Sequence, residues 1–162
     1  MKKCIFAGTF DPPTVGHEEV VENSLKIFDE VIVTVMVNPQ KNSLFTVEER
    51  VELLKELFKD NSAVKVISYD GAVVDLLKRE QTPFYVRGVR DTIDFEYENR
   101  NFYASKKLDR DIITLYIPAS QENLHVSSTL VKNSIHFKKD IKSLVPAKIA
   151  DKIYALLEAK NV

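Results

Sequence analysis

A short stretch near the N-terminus has the residue types of a site for nucleotide phosphates. It begins Gly8-Thr9-Phe10-Asp11 and ends in Gly16-His17, directly before a helical pattern. Gly8 lets the backbone turn close to a ligand, and His17 stands at a helix start, where backbone amides and the helix dipole favour an anion. The stretch lacks the three spaced glycines of a dinucleotide-binding loop and the Gly-Lys-Ser/Thr of a Walker loop. It therefore indicates a triphosphate site of another kind.

Basic residues follow two later apolar runs. Lys41 comes after the run from Glu30 to Val37, and Arg87-Gly88-Val89-Arg90 comes after Phe84 to Val86. A lysine there could reach a phosphate at the sheet edge, and two guanidinium groups beside a glycine could clamp phosphate oxygens. The ordinary alternative for Lys41, taken alone, is a solvated surface charge. The ordinary alternative for the two arginines is a set of surface ion pairs with the acids between Asp91 and Glu98.

Hydroxyl groups mark a further segment, His125 to Lys132, in which Ser127, Ser128 and Thr129 precede a helical pattern. Hydroxyls at a helix start either cap the helix or bind phosphate, and capping is the ordinary outcome. A lone histidine at a helix start, such as His17, is likewise usually a cap or a surface residue. Each segment alone is ambiguous, so the case for a nucleotide site rests on their combination.

Strand-like apolar segments alternate with amphipathic ones along the chain. These segments are Lys3 to Ala7, Glu30 to Val37, Val64 to Ser68, Pro83 to Val86, and Ile112 to Ile117. Their continuous apolarity predicts strands that are covered on both faces. Regular alternation of strand and helix predicts an α/β fold, a Rossmann-like doubly wound parallel five-stranded sheet with flanking helices. Ligands in such sheets lie at the carboxyl ends of the strands, where the motifs fall.

Helical spacing predicts the elements between the strands. The predicted helical segments are Val20 to Phe28, Val51 to Phe58, and Val73 to Leu77. Thr46 and Glu49 form a capping box that begins the second of them. Pro146 in a first helical position, followed by an apolar face, predicts a C-terminal packing helix around residues 146–158.

Composition limits the classes of function. The chain has 162 residues, 44% of them hydrophobic, and no linker or repeat divides it, so we expect one domain over residues 1–162. A formal net charge of -1 argues against nucleic-acid binding. No apolar run approaches a membrane-spanning length, so we expect a cytoplasmic protein with no membrane partner. The one cysteine, Cys4, is predicted to be a buried strand residue.

Together these segments resemble the phosphopantetheine adenylyltransferase family of the nucleotidyltransferase superfamily. The Thr-x-Gly-His ending at His17 matches the signature of the superfamily. The Arg-Gly-Val-Arg motif, the Asp-Phe-Glu-Tyr-Glu run that ends at Glu98 and the Ser-Ser-Thr-Leu-Val-Lys run that ends at Lys132 are typical of this one family. The resemblance covers nearly the whole chain. It implies transfer of the adenylyl group of ATP to 4′-phosphopantetheine in coenzyme A biosynthesis.

The resemblance also implies roles for individual residues. The groups acting in catalysis would be His17, Lys41 and Arg90. The residues contacting ATP would be Thr9, Phe10, His17, Gly88, Val89, Arg90, Glu98, Asn123, Leu124, His125, Val126, Ser127, Ser128 and Thr129. The residues contacting phosphopantetheine would be Thr9, Lys41, Val73 and Arg87.

Further expectations come from the same resemblance. Mg²⁺ would accompany the triphosphate on phosphate oxygens, and we expect no metal site built from protein ligands. A homohexamer and feedback inhibition by CoA are also implied. The chain departs from the family at residues 99–105, along the pantetheine arm, and at Asn123, where the family usually has an aromatic residue. We therefore expect contacts with the arm and the adenine to differ there.

The implied reaction needs no protein nucleophile, because the acceptor phosphate can attack the α-phosphate of ATP directly. The chain shows no Ser-His-Asp order, nucleophile elbow or metal triad that would indicate a hydrolase. Two alternatives stay open. A nucleotidyltransferase that uses nicotinate mononucleotide or another small acceptor would share the His17 motif. A catalytically silent nucleotide-binding module would bind ATP without releasing pyrophosphate.

Overall fold

A single sheet organises the fold in the computed structural model, which describes residues 1–162. Its strands are β1 (Lys3–Gly8), β2 (Glu30–Met36), β3 (Val64–Tyr69), β4 (Phe84–Val89) and β5 (Ile113–Pro118). They lie in the order β3-β2-β1-β4-β5, and every neighbouring pair is parallel. The predicted Rossmann-like α/β fold is therefore confirmed. Because the strand order reverses between β1 and β4, this is where such folds bind ligands.

Helices cover both faces of the sheet. They are α1 (Val15–Leu25), α2 (Val47–Leu57), α3 (Val73–Arg79), α4 (Thr92–Leu108), α5 (Ser128–His136) and α6 (Ala147–Ala159). The capping box of Thr46 and Glu49 begins α2 as predicted. Pro146 differs slightly from the prediction, since it is the residue before the first helical position of α6. None of the helices is both long enough and apolar enough to cross a membrane.

Two parts of the structure were not predicted. β4 continues three residues past the predicted end at Val86, so Arg87 and Gly88 belong to the strand and not to the turn after it. The long helix α4 was missed entirely. Its one buried residue is Glu98, so it has no buried apolar stripe that a hydrophobic pattern could reveal.

The two faces of the sheet carry cores of unequal size. One face, under α1, α2, α5 and α6, belongs to a cluster of 25 buried hydrophobic residues that includes Cys4. The other face, under α3, belongs to a cluster of 7. Arg87 follows Val86 of the larger cluster and so points to the second face, where Glu98 of α4 meets it. Helix α4 therefore covers the side of the sheet with the smaller core.

Gly88 allows α1 to pack closely on β4. A Cβ atom at this position would lie 2.8 Å from Cγ2 of Val20, which is closer than van der Waals contact. Any side chain would therefore push α1 away from the strand. The close packing holds the start of α1, which carries His17, beside the end of β4.

Candidate active site

A cleft opens at the carboxyl ends of β1 and β4. Its volume is about 330 Å³, which is within the range of small-molecule sites. The predicted ATP contacts that line it are Thr9, Phe10, His17, Gly88, Val89, Arg90, Glu98, Asn123, Val126, Ser127, Ser128 and Thr129. Arg87, a predicted phosphopantetheine contact, lines it as well. Three of the four predicted segments thus meet around one space.

Four of the predicted contact residues lie outside this lining. Lys41 stands on the exposed loop after β2, and Val73 begins α3. Leu124 and His125 are exposed on the segment before α5. The contacts predicted for these residues stay predictions.

His17 belongs to the N-terminal cap of α1 as well as to the cleft. The Thr14 N–H donates to His17 Nδ1 at 3.0 Å, and the His17 N–H donates to the Thr14 hydroxyl at 3.3 Å. Because Nδ1 accepts a hydrogen bond, the neutral ring carries its proton on Nε2, which is then a donor. The Phe10 ring packs edge-on against the imidazole, with centroids 4.8 Å apart, and fixes its tilt.

The His17 imidazole is uncharged at neutral pH. Burial, and then the positive charges of Arg87 and Arg90, lower its pKa from 6.5 to about 4. The side chain therefore offers a ligand a neutral N–H group, and the two arginines supply the positive charge. A neutral imidazole of this kind is a suitable partner for charge that develops on an oxygen during reaction.

Arg87 is held by three acceptors. Its Nη1 donates to the Ala7 carbonyl and, at 3.0 Å, to the Tyr85 hydroxyl oxygen, and its Nη2 donates to the Glu98 carboxylate. Its Nε is buried and has no hydrogen-bond partner. An unpaired buried N–H costs about 1–3 kcal/mol, so the interactions of the two terminal nitrogens must offset this cost. Glu98, predicted as an ATP contact, lines the cleft as the partner of Arg87.

Arg90 is held by Asp94, which lies in the first turn of α4. Arg90 Nε and Nη2 donate to the two oxygens of the Asp94 carboxylate at 2.9 and 3.2 Å. The Arg90 backbone N–H donates to the same carboxylate at 3.1 Å, and Nη1 donates to the Val126 carbonyl at 3.4 Å. The hydrogen bond from the Arg90 side chain lowers the pKa of Asp94. Sequence analysis did not assign Asp94, although its spacing of four residues from Arg90 was a usable signal.

Buried charges tie the turn after β1 to the loop before α2. The Asp11 carboxylate accepts from the Leu44 and Phe45 N–H groups, both at 2.8 Å. Nη1 of Arg50, in α2, donates to the Thr9 carbonyl at 2.8 Å. Sequence analysis assigned neither Asp11 nor Arg50. The one signal for Asp11 was an acid within the first motif, and a single arginine inside a helix gave none.

Two of the three hydroxyl groups at the start of α5, those of Ser127 and Ser128, are engaged within the protein. Ser127 caps the helix, with its Oγ accepting from the Leu130 N–H at 3.0 Å, and Ser128 Oγ donates to the Pro12 carbonyl at 2.9 Å. Capping, the ordinary alternative, is therefore what Ser127 does. The Thr129 hydroxyl and the backbone N–H groups of Ser128 and Thr129 are left as the donors that this segment can offer an anion.

The other polar groups of the cleft favour an anionic ligand. No group of three or more His, Cys, Asp and Glu side chains is arranged to hold a metal ion. The cleft carboxylates of Asp94 and Glu98 are each paired with an arginine. Asn123 donates its side-chain amide to Glu19 at 2.9 Å, so that carboxylate is engaged too. What the cleft offers is mainly N–H groups and positive charge, which suits phosphate.

Comparison with known proteins gives related chains and a related structure. A family model described as cytidylyltransferase-like matches residues 5–134. The chain is 44% identical to the phosphopantetheine adenylyltransferase of Clostridium kluyveri, over 92% of this chain and 91% of that one. It is 43% identical to the phosphopantetheine adenylyltransferase of Lachnoclostridium phytofermentans, over 99% of both chains. The structure of a candidate nicotinate-nucleotide adenylyltransferase from Vibrio parahaemolyticus matches with a TM-score of 0.64 and 25% identity, over 91% of this chain and 96% of that one.

Proposed function

The chain belongs to the cytidylyltransferase-like family and, within it, to the phosphopantetheine adenylyltransferases, and on that premise we propose that it transfers the adenylyl group of ATP to 4′-phosphopantetheine. The products are dephospho-CoA and pyrophosphate, and the reaction is a step of coenzyme A biosynthesis. The observation that carries the proposal is the cleft in which His17, Arg87 and Arg90 surround one space. Both substrates carry phosphate, so both can use these donors.

The reaction forms no covalent bond with the protein. An oxygen of the acceptor phosphate attacks the α-phosphorus of ATP, and the bond from that phosphorus to the oxygen bridging to the β-phosphate breaks. Pyrophosphate leaves with the electron pair of that bond. Negative charge shifts toward the phosphoryl oxygens and the leaving group, so catalysis consists of positioning and charge stabilisation.

Each donor of the cleft has an assignment in this scheme. His17 Nε2–H and Arg90 are assigned to the phosphates of ATP. Arg87, which lines the same cleft, is assigned to the acceptor phosphate on the family resemblance. Lys41 is also assigned to the acceptor phosphate, and it would reach that phosphate from its exposed loop. The contacts of Val73 and of residues 123–129 are kept as part of the proposal.

We take the nucleotide substrate to be the Mg²⁺ complex of ATP. The carboxylates that line the cleft are paired with arginines, so the ion would be held by triphosphate oxygens and water. When bound, Mg²⁺ would neutralise part of the triphosphate charge. His17 and Arg90 would then act on the charge that develops at the α-phosphate.

Pyrophosphate release from ATP and Mg²⁺ tests the activity and the acceptor together. We expect release with 4′-phosphopantetheine and none with nicotinate mononucleotide, the acceptor suggested by the name of the Vibrio structure. Release with nicotinate mononucleotide alone would keep adenylyl transfer and overturn the acceptor. ATP binding without release on either acceptor would favour a silent nucleotide-binding module.

Assembly into a homohexamer is a further part of the proposal. The outer surface of α4 supports self-association, because large apolar side chains are exposed there: Ile93 by 75%, Tyr97 by 63%, Tyr103 by 62% and Leu108 by 70%. A second copy of the chain that packed on this surface would bury them. Light scattering should give a mass near six times 18.5 kDa, and a monomer would contradict the assembly.

Feedback inhibition by CoA is proposed on chemical grounds. CoA contains the adenylate and the phosphopantetheine of the reaction product, so it fits the same cleft and would compete with both substrates. Added CoA should therefore raise the KM of the pyrophosphate-release assay. Unchanged kinetics at millimolar CoA would contradict this regulation.

A cytoplasmic location is also proposed. It is supported by ATP as substrate and by Cys4, a free and buried thiol, since cytosolic thiols stay reduced. Cell fractionation with an antibody to the chain would test it.

A further inference from the structure

The two arginines of the cleft leave different N–H groups free. A guanidinium group has five N–H groups, one on Nε and two on each terminal nitrogen. In Arg90, the Asp94 carboxylate takes the one on Nε and one on Nη2, and the Val126 carbonyl takes one on Nη1. One N–H therefore remains on each terminal nitrogen. The N–H groups that remain can be donated to phosphate oxygens.

Arg87 leaves fewer donors. Its two Nη1 hydrogens go to Ala7 and Tyr85, and one Nη2 hydrogen goes to Glu98. One Nη2 N–H remains for a ligand, because the unpartnered Nε N–H is buried. In each arginine, then, a carboxylate of α4 takes part in deciding which donors stay available to a phosphate.

We propose that Asp94 is a positioning residue, which presents the terminal N–H pair of Arg90 to the phosphates of ATP. The proposal rests on the function proposed above. Asp94 is itself held in place, because its N–H donates to the Asp91 carboxylate, the N-cap of α4, at 2.8 Å. Its carboxylate also accepts from the Arg90 backbone N–H. The Asp94 carboxylate thus links the side chain of Arg90 to the backbone of Arg90. The side chain can turn only if its two hydrogen bonds to this carboxylate break.

A carboxylate beside an arginine can also act as a competitor of phosphate. A competitor would occupy the terminal N–H pair, which is the pair that faces along the side chain. Asp94 occupies the Nε side instead, so phosphate and Asp94 can bind Arg90 at the same time. The geometry therefore favours orientation over competition.

The test compares Asp94→Asn with Glu96→Gln. Glu96 is an exposed carboxylate on the same helix with no hydrogen-bond partner, so its substitution controls for the loss of one negative charge. We expect Asp94→Asn to weaken ATP binding, measured by calorimetry with Mg²⁺, by about tenfold, because the Arg90 fork loses its orientation. The KM for 4′-phosphopantetheine should change less than twofold. Glu96→Gln should match the wild type.

A double-mutant cycle with Arg90→Lys separates positioning from a general effect on α4. A lysine has no fork to orient, so adding Asp94→Asn to Arg90→Lys should change ATP affinity less than twofold. Circular dichroism and melting temperature check that each variant is folded. If Asp94→Asn does not fold, Asp94→Glu, which keeps the charge and displaces it, gives the same test with the same expected direction.

Several outcomes would overturn the proposal. Tighter ATP binding by Asp94→Asn would show that Asp94 competes with phosphate. If Asp94→Asn lowers ATP affinity as much in the Arg90→Lys background as in the wild type, the effect does not act through Arg90. A lower melting temperature with unchanged ATP affinity would show a purely structural residue. If the wild type binds ATP and transfers to neither acceptor, the proposed function fails while the comparison of ATP affinities still decides the role of Asp94. A wild type that binds no ATP overturns both.

Discussion

The two walls of the cleft are held in place by different means. On the β1 wall, the turn from Thr9 to Thr14 is tied into the protein interior by Asp11 and Arg50, which are 1% and 4% exposed. Phe10 in this turn has a φ of +52°, a conformation that bulky residues rarely adopt and that surrounding contacts must enforce. The wall is therefore pre-formed by contacts that also stabilise the fold.

On the β4 wall, Arg87 and Arg90 are oriented by Glu98 and Asp94 of α4, a helix with one buried residue. The Arg90–Asp94 pair is partly exposed, and pairs of this kind contribute little to stability, whereas the Glu98 carboxylate of the other pair is buried. One wall of the cleft is therefore held by buried contacts of the fold, and we call it the rigid wall. The other is held by polar contacts with α4, and we call it the adjustable wall. Substitutions in the β1 wall should mainly lower stability, and those in the β4 wall should mainly alter substrate binding.

His17 should give the largest effect and is the exception on the β1 wall, because its two ring nitrogens have separate tasks. In His17→Asn, the side-chain oxygen can replace Nδ1 in the cap of α1, and the Nε2 donor is lost. We expect kcat for pyrophosphate release to fall by about 10²- to 10³-fold, as for loss of one transition-state donor. The melting temperature should stay close to that of the wild type.

The matched control is His136→Asn, on the exposed end of α5, which should leave kcat unchanged. A parallel fall of stability and activity in His17→Asn would show that the histidine is only a cap. It would also place His17 with the other residues of the β1 wall.

Asp11→Ala should show the stabilising role of the β1 wall. It removes the acceptor of the partly buried Leu44 N–H group and of the buried Phe45 N–H group. The loss of both hydrogen bonds should lower the free energy of unfolding by about 2–4 kcal/mol, measured by urea denaturation. Asp60→Ala, at an exposed ion pair, should cost less than about 0.5 kcal/mol. A loss as small as this control would mean that the turn is not held by Asp11.

Glu98→Gln should show the functional role of the β4 wall. The amide orients Arg87 less well than the carboxylate does, so the KM for 4′-phosphopantetheine should rise by about tenfold. The KM for ATP should change little. Glu96→Gln is the control on the same helix. The reverse split, with ATP affected and the acceptor not, would favour the ATP contact that the family resemblance implies for Glu98.

The difference between the walls also explains how much the sequence could predict. Strands such as β1 and β2 were predicted because they are covered on both faces and read as continuous apolar runs. Helix α4 was missed because polar contacts hold it, and no hydrophobic period encodes those. Motifs at strand ends could be predicted to meet, since parallel strands place their carboxyl ends together.

Contacts between distant residues could not be predicted. Arg50 reaches the Thr9 carbonyl across 41 positions, and a single sequence contains no record of such a pairing. The acids after Arg90 were recognised as ion-pair partners, but which acid pairs with which arginine depends on the helical turn of α4. The choice between capping and phosphate binding at Ser127 likewise depended on where its hydroxyl points.

The smallest expected effect is that of Arg90→Gln on pH dependence, and it tests whether the two walls act on each other. The folded state lowers the pKa of His17 from 6.5 to about 4, partly through Arg87 and Arg90 of the opposite wall. Between these values the unfolded chain binds the proton and the folded chain does not, so the contribution to stability is present above pH 6.5 and is lost as the pH falls toward 4. From pH 7.5 to 5, the wild type should lose about 2 kcal/mol more unfolding free energy in urea than His17→Asn.

Arg90→Gln should reduce this excess pH dependence, because one of the two positive charges that oppose protonation of His17 is removed. An excess unchanged by Arg90→Gln would mean that burial and the charge of Arg87 are enough to keep the imidazole neutral. Arg90 would then have no electrical effect on His17. A reduced excess would mean that the adjustable wall sets the charge state of the donor on the rigid one, so a phosphate that neutralises Arg90 would also raise the pKa of His17.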